Sequence, residues 1–269
     1  MAIHSLGFIG FGTLAKILYD GLKDELANNK ISLLVNSRSN GNAYNDTITY
    51  VSKETLLQHS DIIILAIKPQ QLPAVMPALC TIDWQDKCLV SLLAGVPLAS
   101  YSKAIKSLSH AFRIMPNTSA QFHQSMTTFS SLPTTNNTYE DFLISLFSTI
   151  GSILKVNESM LDFCTALCGS GPAFLYQLFQ SMLELAEQEG ISPENARLMI
   201  NQLAQGVATS LMHRNDSIET LITDICSPKG TTEAGISYLH QHHIPDQWQA
   251  VFHEAKQRSI ELSKASKSV

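Results

Sequence analysis

Short apolar runs alternate with amphipathic stretches through the first half of the chain. Residues 6–10, 31–35, 62–66, 89–93 and 111–115 are dominated by aliphatic and aromatic side chains. Several of these runs are apolar on both faces, as in strands of a parallel sheet covered by helices on each side. Between them, residues 13–26, 53–59, 71–79 and 98–105 repeat apolar positions at helical spacing. Such alternation implies right-handed crossovers and a doubly wound sheet. Residues 126–129 and 153–156 predict two further strands, with a polar turn at 133–138 and a helix at 139–148 between them.

The pattern changes class near residue 158. From Met160 onward the spacing is helical. Over 172–189 it puts Phe174, Leu178, Met182, Leu185 and Ala186 on one face. Gly190 is a stop signal, and Ser192-Pro193 is a start signal for a helix over 193–214. That helix carries a broad stripe of Ala196, Met199, Ile200, Leu203, Val207 and Leu211. Helices at 218–225, 231–240 and 246–263 complete the region. The expected fold is α/β: an N-terminal Rossmann-like doubly wound sheet over residues 1–157, then an all-helical region over 158–269. The apolar stripes are wider than one neighbouring helix covers, which predicts a homodimer.

Composition narrows the function classes. The chain has 269 residues, 45% hydrophobic and 15% charged, an ordinary globular balance. A formal net charge of −5 without a basic stripe argues against a nucleic-acid partner. The longest clean apolar run, residues 62–67, is too short to span a bilayer, so no membrane association is expected. Residues 1–5 lack a charged leader, and Gly10 and Gly12 interrupt the following apolar stretch, so no secretion signal is expected. Five cysteines form neither a metal-ligand spacing nor a disulfide framework, which favours reduced thiols in the cytoplasm. Cys164 and Cys168 read as packing residues of a helix. His240, His242 and His243 read as surface residues, and no metal is expected.

The first chemical signal is Gly10-Phe11-Gly12-Thr13-Leu14-Ala15, which fits G-x-G-x-x-A between a predicted strand and a predicted helix. The first glycine allows the tight turn, the second lets the backbone approach a pyrophosphate, and the small third residue lets helix pack on strand. Free amides at the helix start then favour the anion. The second strand leads into Asn36-Ser37-Arg38, and no acid occurs between Ile31 and Asn45. An acid there would accept bonds from a ribose 2′-hydroxyl. Arg38 with Ser37 instead suits a 2′-phosphate, which points to NADPH, with NADH as the lesser cofactor.

Five further segments occur in order: Ala66-Ile67-Lys68-Pro69, Ser91-Leu92-Leu93-Ala94-Gly95-Val96, Arg113-Ile114-Met115-Pro116-Asn117-Thr118, Gly169-Ser170-Gly171-Pro172-Ala173 and Ser227-Pro228-Lys229-Gly230-Thr231-Thr232. In this combination the chain resembles the pyrroline-5-carboxylate reductase family over almost its whole length. The resemblance implies NADPH-dependent reduction of 1-pyrroline-5-carboxylate to L-proline, the last step of proline biosynthesis. It implies that Ala66, Lys68, Pro69, Ala94, Gly95, Met115, Pro116 and Asn117 line the ribose and nicotinamide side of the cofactor. It implies that Ser227, Gly230, Thr231 and Thr232 hold the substrate, with the Thr232 hydroxyl facing the ring nitrogen. It further implies interleaved homodimers, often in rings, whose active sites join both subunits. The residues themselves leave Ser227 open to a second role as a helix cap. Arg113 interrupts an apolar strand, so it is either structurally paired or an anion ligand.

The chain departs from the family pattern at Lys229, His123 and Ser125, where glycine is usual, and at Ser119, where proline is usual. Asn215 matches an acid seen in some relatives. These departures bear on substrate identity, including a related cyclic imine, and on a second reading: a nucleotide-binding regulator with weak or no turnover. A third reading, a hydroxy-acid dehydrogenase of the same two-domain plan, commonly needs a lysine on the first long helix of the second domain. Residues 175–189 contain none. No histidine–carboxylate dyad is evident, so the imine is expected to arrive as iminium or take its proton from water.

Overall fold

The computed structural model describes residues 3–37, 44 and 46–265, with side chains to residue 262. The apolar runs become strands of one sheet: β1 (Ser5–Ile9), β2 (Ser32–Asn36), β3 (Ile48–Tyr50), β4 (Ile62–Leu65), β5 (Cys88–Ser91), β6 (His110–Met115), β7 (Ser125–Ser131) and β8 (Gly151–Lys155). Their order is β3-β2-β1-β4-β5-β6-β7-β8. All pairings are parallel except β6 with β7, where Met115 faces Thr128. The order reverses at β1, which lies between β2 and β4. In open α/β sheets, ligands bind outside the carboxyl ends of strands at such a switch point.

The helices α1 (Thr13–Asn28), α2 (Lys53–His59), α3 (Leu72–Leu79), α4 (Leu98–Ala104) and α5 (Asn137–Ser148) cover the sheet. Side chains alternate across a strand, and each face accordingly has its own core. Leu6, Phe8, Ile62, Ile64, Val90 and Phe112 pack with Leu18 and Leu22 of α1 and Leu143 and Phe147 of α5. Ile63, Leu65, Leu89 and Ala111 pack with Leu56, Leu72, Leu79 and Tyr101 of α2–α4. A helical stretch then begins with α6 (Leu161–Cys164), passes through a π-helical segment Thr165–Ser170, and continues as α7 (Gly171–Gln188). The strand β3 and this π-helical segment are absent from the sequence expectation.

The remaining helices are α8 (Pro193–His213), α9 (Ile218–Ile225), α10 (Thr231–Gln241) and α11 (Ile244–Ala265). By packing, the chain divides into one unit of Met1–Ser170 with His253–Val269 and a second of Gly171–Phe252. In the second unit, Ala196 and Ile200 of α8 are buried and Phe174 meets Phe252 edge to face at 5.3 Å. Leu198, Met199, Leu203, Val207 and Leu211 of α8, with Ile218, Ile222 and Ile225 of α9, line an open apolar groove.

Within the first unit Arg113 of β6 is 2% exposed. Its guanidinium donates to Asp162 Oδ1 of α6 at 2.6 Å. The same carboxylate oxygen accepts from Ser259 Oγ of α11 at 2.9 Å. Of the two sequence readings of Arg113, the structural pair is the one present in the fold.

Candidate cofactor and substrate sites

The segments assigned to the cofactor side lie at the carboxyl ends of β1, β2, β4, β5 and β6, on one edge of the sheet. Gly10 follows β1 with φ +89°, and its N–H donates to the Asn36 carbonyl at 2.8 Å. A Cβ there would lie 2.6 Å from Ile67 Cγ2 and 2.7 Å from the Ala66 carbonyl oxygen. Gly10 is therefore required both for its left-handed backbone and for the close approach of three strand ends.

Gly12 differs. It is the N-cap of α1, and a Cβ built on it meets nothing among the described residues within 4 Å. Their packing leaves this space open. Among the described residues no side chain caps α1, and its first turn carries no acid. Its amides are thus left for an external anion, which fits a dinucleotide pyrophosphate on Gly12, Thr13 and Leu14. Asn36 Nδ2 donates to the Val51 carbonyl at 3.1 Å, so this amide group fixes the strand end. Arg38 lies outside the described residues.

Along the same edge, Ala66 N–H donates to the Ile9 carbonyl at 2.9 Å. Lys68 is exposed, its N–H bonded to Gln71 Oε1 at 3.0 Å, and Pro69 opens a short 3-10 turn. Gly95 turns with φ +76° beside half-buried Ala94. Met115, Pro116 and Asn117 are buried after β6.

The Ser227–Thr232 segment belongs to the second unit. Gly230 N–H donates to the Ser227 carbonyl at 2.9 Å, closing a turn in which Lys229 takes φ +60°. A Cβ on Gly230 would lie 2.3 Å from Ser227 Oγ. Gly230, not Ser227, is the N-cap of α10, and among the described residues no side chain caps that helix. The helix-cap role for Ser227 is therefore not realised. Thr231 and Thr232 occupy the first two positions of α10, exposed and half-buried respectively. The Lys229 N–H donates to Glu233 Oε2 at 2.6 Å. Sequence reading missed Glu233. Its place as an acid in the first turn of α10 is the signal that could have marked it.

Lys229 and His123 share a property. Both take left-handed backbone, at φ +60° and +57°, where the family resemblance expects glycine. The turns survive the substitutions, each at a cost of about 1 kcal/mol or more. His123 Nδ1 lies 2.7 Å from the Thr149 carbonyl oxygen, a bond that offsets part of this cost.

The five cysteines are free thiols. Cys164 is buried, and burial pushes the Cys168 thiol above its ordinary range, which keeps it protonated. Among the described residues, no group of histidine, cysteine and acidic side chains could hold a metal ion, and no helix is long and apolar enough to cross a membrane.

Residues 158–262 match the family described as pyrroline-5-carboxylate reductase dimerisation, and residues 5–95 match NADP oxidoreductase, coenzyme F420-dependent. Pyrroline-5-carboxylate reductase 2 of Bacillus subtilis is 30% identical over 97% of this chain and 95% of its own length. The Methanosarcina acetivorans pyrroline-5-carboxylate reductase is 33% identical over 78% of this chain and 77% of its own. The crystal structure of Plasmodium falciparum pyrroline carboxylate reductase with NADP bound superposes with a TM-score of 0.87 at 25% identity, covering 98% of this chain and 99% of that one. With near-full-length similarity at this level, a Rossmann-type sheet and a helical region that matches the dimerisation model, the chain belongs to the pyrroline-5-carboxylate reductase family.

Proposed function

We propose that this protein reduces 1-pyrroline-5-carboxylate to L-proline with NADPH, the last step of proline biosynthesis. One observation carries the reading. In a member of this family, a left-handed Gly10, an open Gly12 and the uncapped amides of α1 stand at the switch point of the sheet. Residues 1–157 are assigned to the dinucleotide and residues 158–269 to dimerisation and substrate. The change from strands to helices and the family match from residue 158 support that division.

Gly10, Gly12, Thr13 and Leu14 take the pyrophosphate. Asn36, Ser37 and Arg38 take the adenosine ribose and its 2′-phosphate. Ala66, Lys68, Pro69, Ala94, Gly95, Met115, Pro116 and Asn117 line the ribose and nicotinamide side. Bound NADPH supplies the hydride. Ser227, Gly230 and Thr231 hold the imino-acid carboxylate at the start of α10, where amides and helix dipole favour an anion. The Thr232 hydroxyl steadies the ring nitrogen, and its proton comes with the iminium or from water. The protein's contribution is chiefly orientation, worth up to ~7–11 kcal/mol in favourable cases. The apolar groove of α8 and α9 supports a homodimer, with rings of dimers as an extension of the same reading. Free thiols support a cytoplasmic setting.

Two variants test the assignments separately. Arg38→Ala is expected to raise KM for NADPH about tenfold or more, the worth of a charge-assisted bond. KM for NADH should stay near its wild-type value. Equal effects on both cofactors, or a wild-type preference for NADH, would contradict the 2′-phosphate role. Thr232→Ala is expected to lower turnover with the imine about tenfold or more, while NADPH affinity by fluorescence titration stays unchanged. Unaltered turnover and substrate KM would remove Thr232 from the site.

A further inference from the structure

Asn117 lies two residues beyond β6, at the start of the 3-10 turn Thr118–Phe122, on the edge assigned to the nicotinamide, yet its polar atoms are engaged within the protein. Its Oδ1 accepts from the Ser119 N–H at 3.0 Å, its own N–H donates to Ser125 Oγ at 3.1 Å, and its carbonyl accepts from the Ala120 N–H at 3.2 Å. Its Nδ2 reaches across the fold to the Cys168 carbonyl at 3.0 Å. The residue is 8% exposed.

Cys168 lies in the π-helical segment Thr165–Ser170. Such turns are rare insertions in helices and are frequent at functional sites. Their wider winding takes carbonyls out of the ordinary i→i−4 register, so an outside donor can fix where the segment lies. Here the donor is the Asn117 carboxamide. The next residue, Gly169, faces Met115: a Cβ there would make ordinary contact, 3.8 Å from Met115 Cγ and Sδ. One side-chain bond therefore joins the β6 turn to the π-helical segment beside Met115.

We propose that Asn117 is a positioning residue, whose carboxamide holds the 165–170 segment against the Met115–Asn117 turn and so fixes the nicotinamide end of the site. Asn117 then lines the nicotinamide side through its backbone, while its carboxamide is bonded within the protein. This rests on the reductase reading for its catalytic consequence, but the tether itself does not depend on it.

Asn117→Asp keeps the Oδ1 acceptor for Ser119 and replaces only the donor, setting an oxygen against the Cys168 carbonyl. Amide hydrogen exchange over residues 165–170 should rise, while exchange in the core strands β1 and β4 stays at the wild-type level. With NADPH and 1-pyrroline-5-carboxylate, kcat should fall about tenfold or more, as expected when reacting groups are misplaced. KM for NADPH should stay near wild type. Asn117→Ser, whose hydroxyl is too short to reach Cys168, should behave alike and serves if the aspartate variant does not fold. Unchanged exchange at 165–170 overturns the tether whether or not the protein turns over. Raised exchange with unchanged kcat overturns the catalytic consequence. A raised KM for NADPH at constant kcat makes Asn117 a cofactor ligand and overturns the proposal. Absence of turnover in the wild-type protein contradicts the reductase reading alone, because exchange still reports on the tether.

Discussion

Leu203→Glu combined with Val207→Glu is expected to leave a folded 29.6 kDa monomer with no measurable imine reduction. The two residues lie four apart on one face of α8 and are 53% and 54% exposed in the single chain. Around them Leu198, Met199 and Leu211 continue the apolar face, and Ile218, Ile222 and Ile225 of α9 form its other wall. Covering one such side chain fully is worth about 1.5–3 kcal/mol. Burying an unpaired carboxylate in its place costs several kcal/mol more. None of the affected side chains belongs to the buried core of the single chain, so helix content by circular dichroism should persist. Activity should vanish because the proposed active site joins both subunits. Light scattering coupled to size exclusion at low micromolar concentration gives the mass, and assay of the same fractions gives the activity. A variant that stays dimeric, or a wild-type protein fully active at 29.6 kDa, would contradict the account.

Arg113→Met should destabilise the fold by about 3–5 kcal/mol, the cost of breaking a buried ion pair by removing one partner. The guanidinium is buried, and the variant leaves the Asp162 carboxylate, among the described residues, to the Ser259 hydroxyl at 2.9 Å. Asp162 has a side chain 20% exposed, which places the expectation at the lower end of that range. Adding Asp162→Leu removes the stranded charge, and replacing both members of such a pair by apolar groups is often neutral or better. The double variant should therefore recover most of the loss. Urea unfolding of the three proteins measures it. A single variant within about 1 kcal/mol of wild type would mean that the pair contributes no more than an exposed salt bridge.

Much of the fold is legible in the sequence because local signals and tertiary packing agree. The helices α2 and α9 begin where the spacing predicts because Ser52 and Ser217 cap them, accepting from Thr55 and Thr220 N–H. The edge that collects the cofactor segments is legible through Gly10, whose left-handed backbone leaves a mark in composition. Three features are not legible. The strand β3 has three residues at the sheet margin, too few to show an alternation. The π-helical segment meets a long-range bond, from Asn117 to the Cys168 carbonyl, which no local spacing encodes. Arg113 announces that it needs a partner but not which one, since Asp162 sits 49 residues away. At Lys229 and His123 the glycine that would have signalled a left-handed turn is gone, while the turn itself remains.

In the proposed reaction a hydride passes from NADPH to a cyclic imino acid, and an isotope label follows that transfer. The purified protein is mixed with 1-pyrroline-5-carboxylate and with NADPH deuterated at the transferable C4 position, and product and cofactor are followed together by mass spectrometry and absorbance. The expected product is L-proline carrying a single deuterium, formed in equal amount to the NADPH consumed. NADPH that binds without being oxidised would contradict the proposed reaction in favour of a nucleotide-binding regulator. Turnover confined to a hydroxy acid would contradict it in favour of a dehydrogenase.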